Sequence, residues 1–377
     1  LEQTNKRQSW VDFARGVAII LVLYRHAFEG LKSSGIDVGN YLFLEHSNIV
    51  FFSFRMPLFF IVSGIFLSAS FAKRGLRKYI ETKAKTILWP YFLWGSLQIT
   101  LQLIFSKFVN NPPTPYSYLY LLYMPREIEQ FWYLYALFNT SVLYVILKYV
   151  FKLKPWHHIA LGLIMFYLTA WCYQKNIVIG FLQGIMHYYI FIVLGDLIHK
   201  IMRKPETIKL FESWKTFLIL IIPFAITQGY FLYANLQYPA SKYQHVEYFT
   251  PFIFLPIALT GCAFIISLSF IFQRYHWPDW LRVLGKHSLY IYVAHVLVFA
   301  SFRIFMMRVL HIDSVLILLL VSIISGLVVP VWMYKISKKL NIQWVFSLEE
   351  RKKNAKDFQV LKNLQVPKWK IKNIKNG

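Results

Sequence analysis

Charge is scarce in this chain. Of its 377 residues only 15% are Asp, Glu, Lys or Arg, against about a quarter in soluble domains, whose surfaces must face water. That shortage excludes an ordinary water-soluble fold. Cysteine is scarcer still. Cys172 and Cys262 both sit inside apolar runs, which excludes a disulfide framework and cysteine metal-ligand spacing and leaves them as packing residues. Acids are also few, 17 against 41 Lys and Arg, for a formal net charge of +24. Such an excess can signal nucleic acid. Here the basic residues gather in short segments between apolar runs and in the tail, as in the cytoplasmic loops of a membrane protein, so no nucleic-acid partner is expected.

What the chain has in abundance is apolar surface: 57% hydrophobic and 19% aromatic residues. Long apolar runs recur from Val17 to Met333, so the solvent is lipid. The runs predict an all-α polytopic membrane protein with about ten transmembrane helices. They are placed at 13–30, 49–71, 87–107, 131–150, 159–173, 179–198, 216–236, 250–272, 288–303 and 314–334. With both termini cytoplasmic, the inner segments 1–12, 72–86, 148–158, 199–215, 273–287 and the tail from 335 hold 31 of the 41 Lys and Arg. The outer loops 31–48, 107–130, 174–178, 237–249 and 303–313 hold 7, and Arg15, Arg25 and Arg55 fall within spans. This bias sets orientation during insertion. Two units are expected, a membrane-embedded domain over 1–340 and a basic cytoplasmic tail over 341–377. The tail's spaced Trp344, Val345, Phe346, Phe358, Val360, Leu361, Leu364 and Trp369 suit either anionic headgroups or a solvated tail. The first span lacks a convincing cleavage site and reads as a retained helix.

Ionisable groups inside a membrane are costly, so each one is a functional candidate. The first span is densest, with Asp12, Arg15-Gly16, Arg25, His26 and Glu29. At 100° per residue, Arg15 and His26 fall on one stripe of the helix with Asp12 close to it, and His26 lies about 16 Å deeper than Arg15. Gly16 admits close approach of either another backbone or a ligand. Arg25 and Glu29 stand one turn apart and could neutralise each other.

Other spans add to the set. Arg74 and Arg77 form an Arg-x-x-Arg pair, two guanidiniums one helical turn apart that make a fork for phosphates. Arg55 precedes Pro57 within the second span and must face the bundle interior or a wet cavity. Trp132 and Tyr133 open the fourth span as either an interfacial belt or a sugar-stacking platform. His295 is a second intramembrane histidine. Asp196 and His187 are possible partners of the arginines.

Taken together, these residues resemble the integral-membrane acyltransferase-3 family, bacterial O-acyltransferases of surface polysaccharides and similar acceptors. The likeness rests on Asp12, Arg15-Gly16 and His26, eleven residues past the arginine. It extends through Met56-Pro57-Leu58-Phe59-Phe60 to Ser63-Gly64, Arg74-x-x-Arg77, Phe131-Trp132-Tyr133-Leu134, and Leu284-Gly285-Lys286-His287-Ser288-Leu289-Tyr290-Ile291-Tyr292 through His295. Two features depart from it. Some members carry an important acid late in the membrane domain, and the tenth span here has none. Some carry a fused extracytoplasmic hydrolase-like domain, for which no loop has room, so the acceptor is expected to be met within the membrane domain or delivered by another protein.

The resemblance implies transfer of an acyl group, most often acetyl, from acyl-coenzyme A to a hydroxyl of a cell-surface or lipid-linked saccharide. It places the enzyme in a bacterial cytoplasmic (inner) membrane beside glycan-biosynthesis proteins. His26, Asp12 and Arg15 are the expected catalytic group. Arg74, Arg77 and Arg15 are expected on the donor's phosphates, and Arg55, Trp132, Tyr133 and His295 on the substrate. No metal and no permanently bound cofactor are expected. His26 acts either as general base or as transient acyl carrier. As a base it must be neutral, a form that burial favours and Asp12 opposes. A transporter or flippase of a lipid-linked sugar is the rival reading. It would show corresponding broken helices in two repeats, and no such pair is visible.

Overall fold

The computed structural model describes residues 9–108, 112–239 and 243–348. Lipid cannot satisfy open backbone groups, so a spanning chain must pair them within each segment. The described regular structure is accordingly helical throughout. The first helices are α1 (Trp10–Ser33), α2 (Leu42–Ile65), α3 (Leu67–Lys83), α4 (Trp89–Ile104) and α5 (Ser117–Tyr123). Then come α6 (Trp132–Val145), α7 (Pro155–Gln174), α8 (Leu182–Ile198), α9 (Pro205–Phe211) and α10 (Trp214–Leu236). The series ends with α11 (His245–Phe249), α12 (Pro251–Tyr275), α13 (Asp279–Lys286), α14 (Ser288–Arg308) and α15 (Val315–Lys339).

Seven stretches are long and apolar enough to cross a membrane: Leu42–Ile65, Leu67–Ile104, Glu129–Val150, Trp214–Leu236, Pro251–Tyr275, Ser288–Arg308 and Val315–Lys339. The chain is a multi-pass helical membrane protein. The other three expected spans coincide with α1, α7 and α8. Charged residues interrupt α1, and α8 is apolar but has only 17 residues. Both are central to the packing. Helix α8 sits among α2, α6 and α7, while α1 is surrounded by α2, α12, α13, α14 and α15.

Small residues permit two close crossings. A Cβ on Gly64 would lie 2.4 Å from the Ile192 carbonyl oxygen, and one on Gly195 would lie 2.2 Å from that of Ile61. The glycine of the Ser63-Gly64 motif therefore seats α2 on α8. Gly16 resolves likewise. A Cβ there would lie 2.4 Å from the Leu281 carbonyl oxygen of α13, so the close approach is by a backbone.

Several expected loops are folded. The inner segment 72–86 is helical and runs through a π-helical turn, Ala84–Leu88, into α4. Within it Gly75 takes φ 71° and ψ 172°, so Arg74 and Arg77 are not one regular turn apart, and the expected fork does not form. Arg74 donates to Ser70 Oγ at 2.8 Å, while Arg77 is exposed. Helix α14 continues to Arg308, so Arg303 belongs to a helix and not to the loop 303–313. Past residue 340, Trp89 Nε1 and Trp94 Nε1 donate to the carbonyls of Trp344 and Val345, at 2.6 and 2.8 Å. Phe346 is buried against Trp94, Tyr290 and Tyr334. The packing thus extends beyond the boundary expected at 340. The tail residues 349–377, with Phe358, Val360, Leu361, Leu364 and Trp369, lie outside the described residues, as do residues 1–8.

Candidate active site

Helices α1, α2, α4, α6, α8 and α14, with the segments before α6 and around α11, enclose a cavity of about 1040 Å³. His26 lies on its wall, together with Arg55 and Trp132. The His26 ring is 5.3 Å, centroid to centroid, from that of His295. His295 is fully buried, and its Nδ1 faces the Tyr292 and Ile291 carbonyls at 2.7 and 3.2 Å. A carbonyl only accepts, so Nδ1 carries a proton, and in the neutral ring Nε2 keeps its lone pair. That Nε2 is buried without a hydrogen-bond partner. The His295 ring thus backs His26 from a neighbouring helix, behind the cavity's wall and not on it.

The wall is aromatic on one side. Trp132 stacks on Tyr188 at 5.4 Å, Arg126 lies 4.4 Å over the Trp132 ring, and Tyr188 stacks on Phe60 at 4.4 Å. Such a face, ringed by amides and charges, suits the C–H face and hydroxyls of a sugar. It also decides the place of Trp132, which lines the cavity instead of forming an interfacial belt. Tyr133 lies just outside, packed on Phe60 at 5.4 Å and on Tyr292, itself a cavity residue, at 5.1 Å. Ser63 bonds to Tyr133, and Arg15 acts on it electrostatically.

The charged residues are fixed differently from what the sequence suggests. Glu29 accepts from Asn48 at 2.9 Å and from the Tyr243 hydroxyl at 2.8 Å, while Arg25 lies 4.4 Å over the Tyr243 ring. The one-turn Arg25–Glu29 pair is thus replaced by contacts to other elements. Burial pushes the Tyr243 phenol up to about 12, so it stays a neutral donor to Glu29. Arg55, only 3% exposed, keeps an Nη1 without a partner. Neither Asp196 nor His187 pairs with an arginine at close range. Asp196 takes Lys148, Tyr144 and Ser68, and His187 Nε2 lies 3.1 Å from Glu247 Oε1.

The remaining candidates lie at the other end of α1. Arg15 is grouped with Arg74 and Lys83 through mutual electrostatic influence, and Asp12 is buried where α13 crosses. None of these four lines the cavity, which instead reaches Ser33, Phe105 and Arg308 at the opposite ends of their helices. The site is therefore extended, with a basic cluster at one end of α1 and the histidine chamber toward the other. Sequence reading missed Arg126, Glu129, Glu247 and Arg303 because it placed them in loops. Only Arg303 carried a signal, a charge between Phe302 and Ile304 in an apolar run, whereas the other three sit among polar or charged neighbours. Among the described residues no three His, Cys, Asp or Glu side chains gather as a metal site.

Similarity to known proteins agrees with this arrangement. A family profile described as an acyltransferase domain matches residues 8–335. The nodulation protein NolL of Mesorhizobium japonicum is 27% identical over 153 residues, which are 41% of this chain and 39% of that protein. The aligned part thus spans about two fifths of that relative's length. No solved structure matches. The profile covers the helices that carry both ends of the site, and the chain belongs to the acyltransferase-3 family of membrane acyltransferases.

Proposed function

We propose that this protein moves an acyl group, acetyl in the simplest case, from acyl-coenzyme A to a hydroxyl of a cell-surface or lipid-linked saccharide, in a bacterial inner membrane. The observation that carries the reading is the His26 ring, backed by His295, on the wall of a chamber with an aromatic face and buried cations. Arg15 and Arg74 hold the donor's phosphates at the cytoplasmic end, and the pantetheine arm runs along α1 past Tyr133. His26 takes the acceptor hydroxyl's proton as that oxygen bonds to the thioester carbonyl carbon. The carbon–sulfur bond then breaks, and the departing thiolate recovers the proton from the imidazolium. The products are a saccharide ester and free coenzyme A. Arg55 faces the charge that develops on the carbonyl oxygen. In the covalent variant His26 itself carries the acyl group between two such steps.

The test is purified protein with radiolabelled acetyl-coenzyme A and glycan acceptors. Label should enter a base-labile ester on the saccharide. Failure of every bacterial surface glycan and lipid-linked precursor to accept label would overturn the reading.

The break at Gly75 separates the two arginines in their effects. Arg74→Lys keeps the charge but loses the planar donors, so KM for acyl-coenzyme A should rise several-fold with kcat little changed. Arg77→Lys, at an exposed position, should do less. Equal and negligible effects would make the pair a topology signal only.

The donor route also requires sidedness, with ten spans and both termini cytoplasmic. In a variant with Cys172 and Cys262 replaced, cysteines at Ser33 and Thr114 should react with an impermeant thiol reagent in intact cells. Cysteines at Gly75 and Lys154 should react only after the membrane is opened. Labelling at Gly75 from outside would remove the donor site from the compartment that holds coenzyme A.

A further inference from the structure

Five arginines line the cavity against three glutamates. Two of the acids already accept hydrogen bonds, Glu29 from Asn48 and Tyr243, and Glu129 from Gln98 at 3.0 Å, while Glu247 lies 3.1 Å from His187 and acts electrostatically on Arg126. Arg303 is one of the buried cavity cations that keep unused donors, with Arg25, Arg55 and Arg126. It is 9% exposed, and its Nε and Nη1 are buried without hydrogen-bond partners. Glu129 acts on it electrostatically, without forming one of the ion pairs found among the described residues. A buried guanidinium with unused donors is costly unless something anionic meets it.

The fold makes room for that guanidinium. A Cβ on Gly30 would lie 2.3 Å from Arg303 Nη1 and 3.6 Å from the Phe299 ring. Side chains on a helix lean toward its N-terminus, which brings the Arg303 head to the level of Phe299 and against α1. Gly30 stands one turn beyond His26, about 6 Å along the axis. Arg303 therefore lines the chamber about one turn from the reacting histidine, with its Nη1 packed in the slot at Gly30.

We propose that Arg303, in the slot left by Gly30, binds an anionic group on the saccharide acceptor, a phosphate or a carboxylate. This rests on the acyl-transfer reading above and narrows the acceptor to a charged sugar or a glycosyl phosphate. The charged group sits on the acylated ring or at its linkage, because the distance to His26 spans little more than one sugar. Arg is suited to both anions through paired donors.

The experiment measures binding to the purified full chain of three probes: glucose 1-phosphate, methyl glucuronoside and neutral methyl glucoside. The wild type and His26→Ala should both bind at least one anionic probe about tenfold or more tighter than the neutral one, the order expected for a charge-assisted contact. Arg303→Leu should erase that preference. Gly30→Ala should erase it too, by displacing the guanidinium, and it decides the matter if Arg303→Leu does not fold. Preference for glucose 1-phosphate assigns a phosphate, and preference for the glucuronoside assigns a carboxylate. Equal binding or no binding of the three probes by the wild type overturns the proposal, as does a preference that survives both substitutions. Arg303-dependent anion binding in a protein that transfers no acyl group would sink the proposed function alone.

Discussion

His26→Ala should lower acyl transfer by about 10²–10⁴-fold, the contribution of a positioned general base, while folding and membrane insertion persist. His26 lines a cavity instead of filling the core, so its removal enlarges an existing space. The His295 ring remains anchored by the carbonyls of its own helix. Initial rates with labelled donor, together with melting in detergent, separate lost chemistry from lost structure. A variant with near-normal rates would remove His26 from the mechanism. Rapid quenching of the wild type without acceptor distinguishes the two routes. Label trapped on the protein, absent in His26→Ala, means an acyl carrier, and no trapped label favours the base.

Gly195→Val should destabilise the fold more than any change at a lipid-facing glycine. Its Cβ would meet the Ile61 carbonyl oxygen at 2.2 Å and the Gly64 Cα at 3.0 Å, both backbone atoms that cannot swing aside. Helices in lipid associate largely through such close packing, because the hydrophobic effect no longer drives them together. Overpacking costs about 1–3 kcal/mol, and more where backbone must shift. Helix α2 also carries Arg55, and α8 carries Tyr188, so the strain would reach the chamber. A lower melting temperature and less monodisperse protein in detergent are expected. Gly229→Val is the control, because nothing lies within 4 Å of a Cβ there. Equal melting of the two variants would show that α2 and α8 do not depend on this contact.

The expected apolar runs correspond to helices because hydropathy is a local property that lipid enforces at every position. The expected boundaries failed where charge was taken to mean loop. Residues 72–86 are helical, and α14 carries Arg303 in its last turns. A cation at a helix end can be turned inward, and its sequence neighbours do not reveal that. The Arg15–His26 stripe was legible because both residues lie on one helix, whose period relates them directly. The partner of His26 was not. His295 is 269 positions away, and only the packing of α14 on α1 sets their rings 5.3 Å apart.

By itself, then, the sequence determined the solvent, the helical class, the family resemblance and the placing of Arg15 and His26 on one stripe of α1. Each of these follows from local composition or from spacing within one segment. Tertiary structure alone decided that Glu29 answers to Tyr243 and Asn48, that Trp132 faces a chamber, and that Gly75 parts Arg74 from Arg77. It alone also left the Arg303 donors without a partner beside Gly30. Those are relations between distant segments, or breaks in regular geometry, and they are set by which helix faces meet when the apolar helices pack together.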